Sequence, residues 1–535
     1  MQVIHFPLVR TGQLHALAEA YLDHSEEVRD LYQFSPDLQG ALEALEKRKN
    51  FTVNRELLAD TLKAQYLEMQ LGFFEKAENQ QTSANIDLLL KNNTFTVTTG
   101  HQLSIFTGPL YFVYKILSVI QYAKILKDKY PDYNFVPVYW MASEDHDFEE
   151  ISTINLFSRQ LKWEQTQGGA VGRMNPASLT GLIDQLEELI SRQEEGKYLL
   201  SVFKVAYLSQ PTLVLATRSF VHELFKNEGL VILDADNKDL KQTLIPVFEN
   251  DIFNNQSHKI VNTTLGKLDN KFHPPVQPRE INVFYLTENN RQRIIKEGDA
   301  YKVLNSNITW TASELKAEIN ANPENFSPNV VLRPVYQEMI LPNIAYIGGN
   351  NEIAYWLELK AAFDVQNVFF PQLLIRDSAL WIGKRFAKDL VLAKLEPEDL
   401  FAPLKDVKAL FYDRNELKTP PEEEIELLIM HHETLKQKAQ SLPPDIAATL
   451  VKQSNQHIKE LKKSIGDIRS KVKEQHAKTL EKIDKIYETV FPNGSFQERY
   501  DNLIPFYLQY GPEFFKLLKD NFNPTEGTLK IFVDI

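Results

Sequence analysis

Cysteine is absent from all 535 residues. That excludes disulfides and thiolate-bound metals and leaves a zinc site only histidine and carboxylate ligands. Long apolar runs are absent too, since none approaches the roughly 20 residues that cross a bilayer. The opening MQVIHFPLVRTGQL has no basic segment followed by an apolar one, so it does not read as a secretory leader. Positive charge is in deficit. Lys and Arg total 59 against 72 Asp and Glu, and the net charge of −13 argues against general affinity for phosphate backbones. These absences lead to the expectation of a cytoplasmic chain that uses neither nucleic acid nor membrane as a partner. A small anionic ligand stays compatible with them, because it needs only a few clustered cations.

What the chain does have is the material for a core. Hydrophobic residues make up 43% and charged residues 24%, a globular balance and not a disordered one. The length suggests roughly three or four domain-sized units. Residues 12–90 read as helical. The β-type run Phe95–Thr99 then ends at Gly100, a loop HQLSIFTG follows, and Pro109 is placed to open the apolar helix PLYFVYKILSVIQYAKILKD. A second strand, Phe135–Trp140, completes a βαβ unit, whose crossover implies parallel strands. The alternation returns at 212–228 (helix), Leu230–Asp234 (strand), a helix from Lys238, Ile344–Gly348 (strand), Glu352–Phe363 (helix) and Val368–Ile375 (strand).

This pattern predicts an α/β fold: a doubly wound core over residues 1–385, with inserted subdomains near 156–200 and 265–325. Residues 386–535 read as a helical coiled-coil domain with a C-terminal return segment. A charged helix runs from Glu422 to Gln440, Pro443-Pro444 breaks the chain, and a long helix extends to Val490. Ile458, Leu461, Ile465, Ile468 and Val472 keep the three-four spacing of a seam, which resumes at Leu480, Ile483, Tyr487 and Val490. The step from Val472 to Leu480 is too long for that spacing. It puts His476 on the seam and predicts local unwinding there. The seam outruns its hairpin partner, which predicts a homodimer.

Two polar segments sit where chemistry is expected. Thr99-Gly-His-Gln102 leaves the first strand and Glu144-Asp-His-Asp147 leaves the second, so both emerge at the carboxyl edge of one βαβ unit, where open parallel sheets bind ligands. The helix after Gly108 directs its N-terminal amides to the same edge, which favours an anion, and Lys115 lies in its second turn. Four ionisable residues in a row beside a buried strand need a neutralising partner: a cation, a substrate amine or a metal. A polar loop histidine or an acidic helix start would explain either segment structurally; their coincidence at one edge favours a site.

Other segments carry less. Gly348-Gly349-Asn350-Asn351 matches neither a dinucleotide nor a P-loop pattern and reads as a turn with an Asn cap. His431, His432 and His457 show no recognised metal spacing. Ser495 and Glu498 fit a capping box; the same helix start, with Arg499 in its first turn, would also hold a phosphate.

TGHQLSIFTGPLYFVYK, PVYWMASEDHDFEE, LRPVYQ at 332–337, EIAYWLELK at 352–360 and FPNGSFQER span essentially the whole chain. In this order they resemble the signature segments of the bacillithiol-biosynthesis cysteine-adding enzymes. The pattern departs from that family at Asn350-Asn351, which stand where a Gly-Pro element is expected. The resemblance implies a ligase that attaches cysteine to the amine of glucosaminyl malate, the last step of bacillithiol biosynthesis. It also implies a Rossmann-like core with connecting inserts and a coiled coil that forms a homodimer. Similarity to nucleotidyltransferases and class I aminoacyl-tRNA synthetases follows, with Thr99-Gly-His-Gln102 corresponding loosely to their histidine motif.

Making an amide from a free carboxylate requires activation, so an ATP/ADP site is expected, by way of an adenylate or an acyl phosphate. A role for Mg²⁺ is left open. In this reading His101 and the helix start at Gly108 stabilise negative charge. Glu144, Asp145 and Asp147 hold the substrate ammonium or take its proton, while Gln102 and His146 orient groups. Lys115, Ser495 and Arg499 join Gly108 as the expected nucleotide contacts. Two other readings stay open: a nucleotidyl- or glycosyltransferase acting on another sugar, and a non-catalytic coiled-coil scaffold. Carboxylates at a buried strand edge argue against the scaffold.

Overall fold

A computed structural model describes residues 1–69, 73, 75–157, 159–268, 270–417 and 422–535. They form two compact units. One comprises Pro7–Ala379 with Glu498–Lys530, the other Met1–Phe6, Leu380–Gln497 and Ile531–Ile535.

The larger unit is built on a five-stranded sheet of β1 (Thr94–His101), β2 (Asn134–Met141), β3 (Val231–Asp234), β4 (Asn343–Gly348) and β5 (Gln372–Ile375). Their order is β3-β2-β1-β4-β5 and every pairing is parallel. That is the doubly wound order, with the reversal of direction between β1 and β4. Every residue of β1 is buried, as a central strand covered on both faces must be. Its Thr and Val residues suit that position because β-branched side chains pack on a pleated surface.

Helix α1 (Leu110–Lys129) makes the first crossover. Val113, Ile116, Leu117 and Ile120 are buried, each contributing about 1.5–3 kcal/mol of transfer free energy. Pro109 is the residue before the helix, at ψ 157°, and not its first turn. Helix α2 (Asn350–Gln366) follows β4, and its cap is Gly349, not an asparagine: Gly349 N–H donates to the Glu352 carboxylate at 2.7 Å, while Asn350 donates to the Gln13 carbonyl.

Two segments interrupt the alternation. The hairpin Thr153–Leu156 with Arg159–Lys162 leads into helices Thr180–Ile190 and Glu194–Ser209. Farther on, Val283–Leu286, Arg291–Glu297, Ala300–Val303, Thr309–Trp310 and Phe326–Pro328 form a separate antiparallel sheet.

In the second unit, α3 (Glu422–Ala439) packs against α4 (Pro444–Gln475) as a hairpin. The long helix breaks where the spacing predicts. Residue His476, at φ −106° and ψ 11°, separates α4 from α5 (Ala477–Val490). The break also shifts the register, so Ile486 is buried and Tyr487 only half-buried. His432 does not stand free in solvent; its ring meets that of His457 at 5.0 Å.

Candidate functional site

At the reversal between β1 and β4 the chain leaves the two strands in opposite directions, which opens a crevice past their carboxyl ends. A cavity of about 740 Å³ lies there. It is lined by Gly100 and His101 from β1, Trp140 to Asp145 from β2 and its loop, Gly349 and Glu352 after β4, and Arg376 after β5. The antiparallel insert adds Arg291 and Arg293, and the return segment adds Arg499. Seven basic side chains (Lys115, Arg279, Arg291, Arg293, Arg333, Arg376, Arg499) face four carboxylates (Glu144, Asp145, Glu150, Glu352). The cavity is therefore locally cationic in a chain of net charge −13, an arrangement that draws anions.

The loop from β1 to α1 is held under strain. Phe106 and Thr107 take φ of 47° and 73°, a region costly for a non-glycine residue and most costly for a β-branched one. Hydrogen bonds fix it there: Phe106 N–H donates to the Tyr207 hydroxyl, and Asn502 Nδ2 donates to the carbonyls of Phe106 and Gly108. Leu110 N–H, at the helix start, donates to the Asp501 carbonyl at 2.8 Å. Gly108 is not among the cavity-lining residues, and an anion-binding role for this helix start loses the Leu110 amide.

His101 is buried between the rings of Tyr111 and Phe112. Its Nδ1 lies 2.7 Å from the Gln102 carbonyl, which can only accept, so Nδ1 carries the proton and Nε2 the lone pair. Burial, reinforced by the Lys115 charge, pushes its pKa down to about 3. A neutral ring with this tautomer accepts hydrogen bonds. It does not stabilise negative charge, as the residue pattern had suggested.

The acidic run is neutralised from within the protein. Glu144 pairs with the buried Lys241 at 2.5 Å, and Lys241 also pairs with Asp236 at 2.7 Å. Asp236 in turn takes a bidentate contact from Arg173. Burial holds the Glu144 carboxyl above its ordinary value, although Lys241 pulls the other way. Asp145 behaves oppositely. Burial pushes it up, but contacts with the His146 ring and from Gln102 Nε2, with the Arg291 charge 3.7 Å away and the His146 N–H, outweigh that and hold it well below the usual carboxylate range. Gln102 is pinned between two acids, donating to Asp145 at 2.9 Å and to Glu150 at 2.5 Å.

Lys115 donates to Glu352 at 2.7 Å and to the Gly100 carbonyl at 2.9 Å. Burial lowers its pKa, with Glu352 opposing. Arg376 is tied to Glu498 by both Nη atoms, and Ser378 donates to the same carboxylate. Glu498 is thus spent on Arg376 and not on a capping box with Ser495.

The structure brings His101, Gln102, Lys115, Glu144, Asp145 and Arg499 to one cavity. His146, Asp147, Gly108 and Ser495 are not among its lining residues; His146 accepts from Arg291 Nη1 at 3.1 Å, Asp147 is exposed, and Ser495 belongs to the other unit. Sequence reasoning missed Lys241, Arg291, Arg333 and Arg376. Arg376 directly follows β5, so the carboxyl-edge rule could have found it. Arg333 stands in LRPVYQ, one of the segments that carry the family resemblance, while Lys241 and Arg291 come from segments with no such positional signal.

Residues 1–377 match the family model for the N-terminal Rossmann-like domain of bacillithiol biosynthesis BshC, and residues 379–533 match that for its C-terminal coiled-coil domain. The chain is 39% identical over 528 residues to a protein of Flavobacterium psychrophilum named "Putative cysteine ligase BshC", covering 98% of both chains. It is 38% identical to the protein of that name in Flavobacterium johnsoniae, over 97% of this chain and 98% of the relative. The Chlorobaculum tepidum protein of that name is 29% identical over 86% of each.

Proposed function

The chain belongs to the bacillithiol-biosynthesis BshC family, and from that premise we propose that it joins the carboxylate of cysteine to the amine of glucosaminyl malate. The observation that carries this reading is the cationic cavity at the sheet's reversal point. Arg279, Arg293 and Arg499 line it and form no ion pair with a carboxylate among the described residues, so they are free to meet the two carboxylates of a malyl group. Guanidinium forks suit such planar anions better than ammonium points do.

A nucleotide fits the same donor set, and ATP, when bound, would supply the activation that a free carboxylate lacks. The chain's own groups do the rest. Glu144, held above its ordinary pKa by burial, is the better of the two neighbouring carboxylates for taking the proton of the attacking amine. Asp145 stays ionised and, through Gln102 and Arg291, fixes the wall of the pocket. His101 accepts a hydrogen bond through Nε2 and so orients an N–H or O–H of the substrate.

Thermal unfolding with added ligands tests the malyl contact. Glucosaminyl malate at ~100 times its Kd raises the unfolding free energy by about 2.7 kcal/mol. Glucosamine, which lacks the two carboxylates, protects far less at the same concentration. Equal protection by the two compounds, or none from either, contradicts the reading.

A homodimer through the α3–α5 helices is part of the same proposal. In a single chain Leu427, Leu428, Met430, Leu435 and Ile468 stay 40–60% exposed, apolar surface that a second copy would cover. Sedimentation of the full chain at micromolar concentration should give twice the monomer mass. Leu428→Glu with Leu435→Glu should give monomers with an unchanged circular-dichroism spectrum. A wild-type monomer under these conditions removes the dimer.

A further inference from the structure

We infer that Arg333, caged by three aromatic rings at the carboxyl end of β1, is the cavity's fixed oxyanion clamp, which takes an oxygen of a phosphoryl or carboxylate group through Nη2. This rests on reading the cavity as the substrate site. Arg333 is the first residue of the helix Arg333–Ile340. Its guanidinium lies 5.7 Å from the ring centre of Trp140, 5.5 Å from Tyr346 and 5.8 Å from Trp356. The rings come from β2, β4 and α2, and Tyr346 and Trp356 stack on each other at 4.2 Å. Such a cage attracts the cation and removes its rotamer freedom before any ligand arrives.

The cage does not satisfy the hydrogen-bonding edge. Nη1 donates to Gln337 at 3.1 Å and the guanidinium also meets the Tyr355 hydroxyl, while the enclosed Nη2 has no acceptor. At Nη2 the other enclosed arginines differ, although Arg48, Arg218 and Arg376 each leave Nε without an acceptor. Nη2 of Arg48 donates to two backbone carbonyls, that of Arg218 to Gln65, that of Arg291 to the Pro328 carbonyl and that of Arg376 to Glu498. Arg333 also forms no ion pair among the described residues, although it lines the cavity. A buried donor without an acceptor is costly, and native proteins keep such groups where a ligand supplies the acceptor.

Gly100 sets where the clamp sits. A Cβ there would stand 3.2 Å from Arg333 Nη1 and 3.3 Å from the Tyr346 hydroxyl, closer than the neighbours tolerate without shifting. Only a residue without a side chain lets the guanidinium lie against the end of β1, beside His101. A substitution at position 100 therefore displaces the clamp without touching its charge.

Titration calorimetry of the full-length protein with inorganic phosphate and, separately, with L-malate tests the clamp and separates the two sources of oxyanion. Arg333→Met is expected to weaken one probe by ~10-fold or more, the loss of a charge-assisted hydrogen bond. Phosphate as the affected probe assigns the clamp to a phosphoryl group, and malate assigns it to a carboxylate. Arg333→Lys, which keeps the charge but not the fork, should recover only part of the loss. Gly100→Ala should weaken the same probe while the melting temperature stays near wild type. If Arg333→Met unfolds the protein, the Lys and Ala variants decide alone. Wild-type affinity for both probes in the folded variants overturns the clamp and leaves the cavity reading intact. Failure of the wild type to bind either probe overturns both.

Discussion

Glu144→Gln is expected to lower turnover by about 10²- to 10⁴-fold, the usual contribution of a positioned base, while substrate affinity changes little. The amide keeps the shape but cannot take a proton. The pH profile gives a second readout. Burial raises the Glu144 pKa above that of an ordinary carboxyl, and a base works only when deprotonated, so turnover in the wild type falls as pH drops through that raised value. His101, with its pKa pushed down to about 3, is already neutral at all higher pH and adds no inflection between pH 5 and 8. His101→Ala should therefore lower turnover without moving the acid limb, whereas Glu144→Gln should remove the Glu144 part of the limb and leave only protonation of the substrate amine. Steady-state rates across the acid range check both, and an acid limb identical in wild type and Glu144→Gln assigns the base elsewhere.

Lys241→Met should cost about 3–5 kcal/mol of stability at neutral pH, among the largest effects available from one side chain. The lysine is fully buried and neutralises two carboxylates, and removing one partner of a buried pair leaves the other charged and unsolvated. Arg173 still serves Asp236, so the penalty falls chiefly on Glu144. The sign of the pH dependence follows. Without the lysine the folded-state pKa of Glu144 rises further above its unfolded value, so the variant's deficit relative to wild type is smallest at acid pH and grows as pH rises from the unfolded value through the new one. Urea denaturation at pH 5 and pH 8 checks this. A smaller deficit at pH 8 than at pH 5 is the contrary outcome.

The parts of the fold set by local rules were legible in the residues. Gly100 and Pro109 bracket the loop, the apolar run after it can only be a buried helix, and the two β-branched runs on either side define a parallel pair. The seam fault at His476 was legible because eight residues do not fit a three-four pattern. Val368–Ile375 was read too long: the strand begins at Gln372, after Pro371, which has no N–H for the ladder. Of the site, His101, Gln102, Glu144 and Asp145 were legible because they stand beside their strands. Their partners were not. Lys241 lies on a short helix after β3 and Arg291 in an antiparallel insert, and nothing in their local sequence says which distant carboxylate they meet. The acidic run signals that a cation is needed but not that the protein itself supplies one, Lys241, to Glu144.

Incubation with cysteine, glucosaminyl malate and ATP, read by mass spectrometry, tests cysteine ligation most directly. The predicted result is a product heavier than glucosaminyl malate by one cysteinyl residue, formed by the wild type and strongly reduced in Glu144→Gln. Transfer of a nucleotidyl or sugar group to the acceptor with cysteine left unconsumed would contradict it.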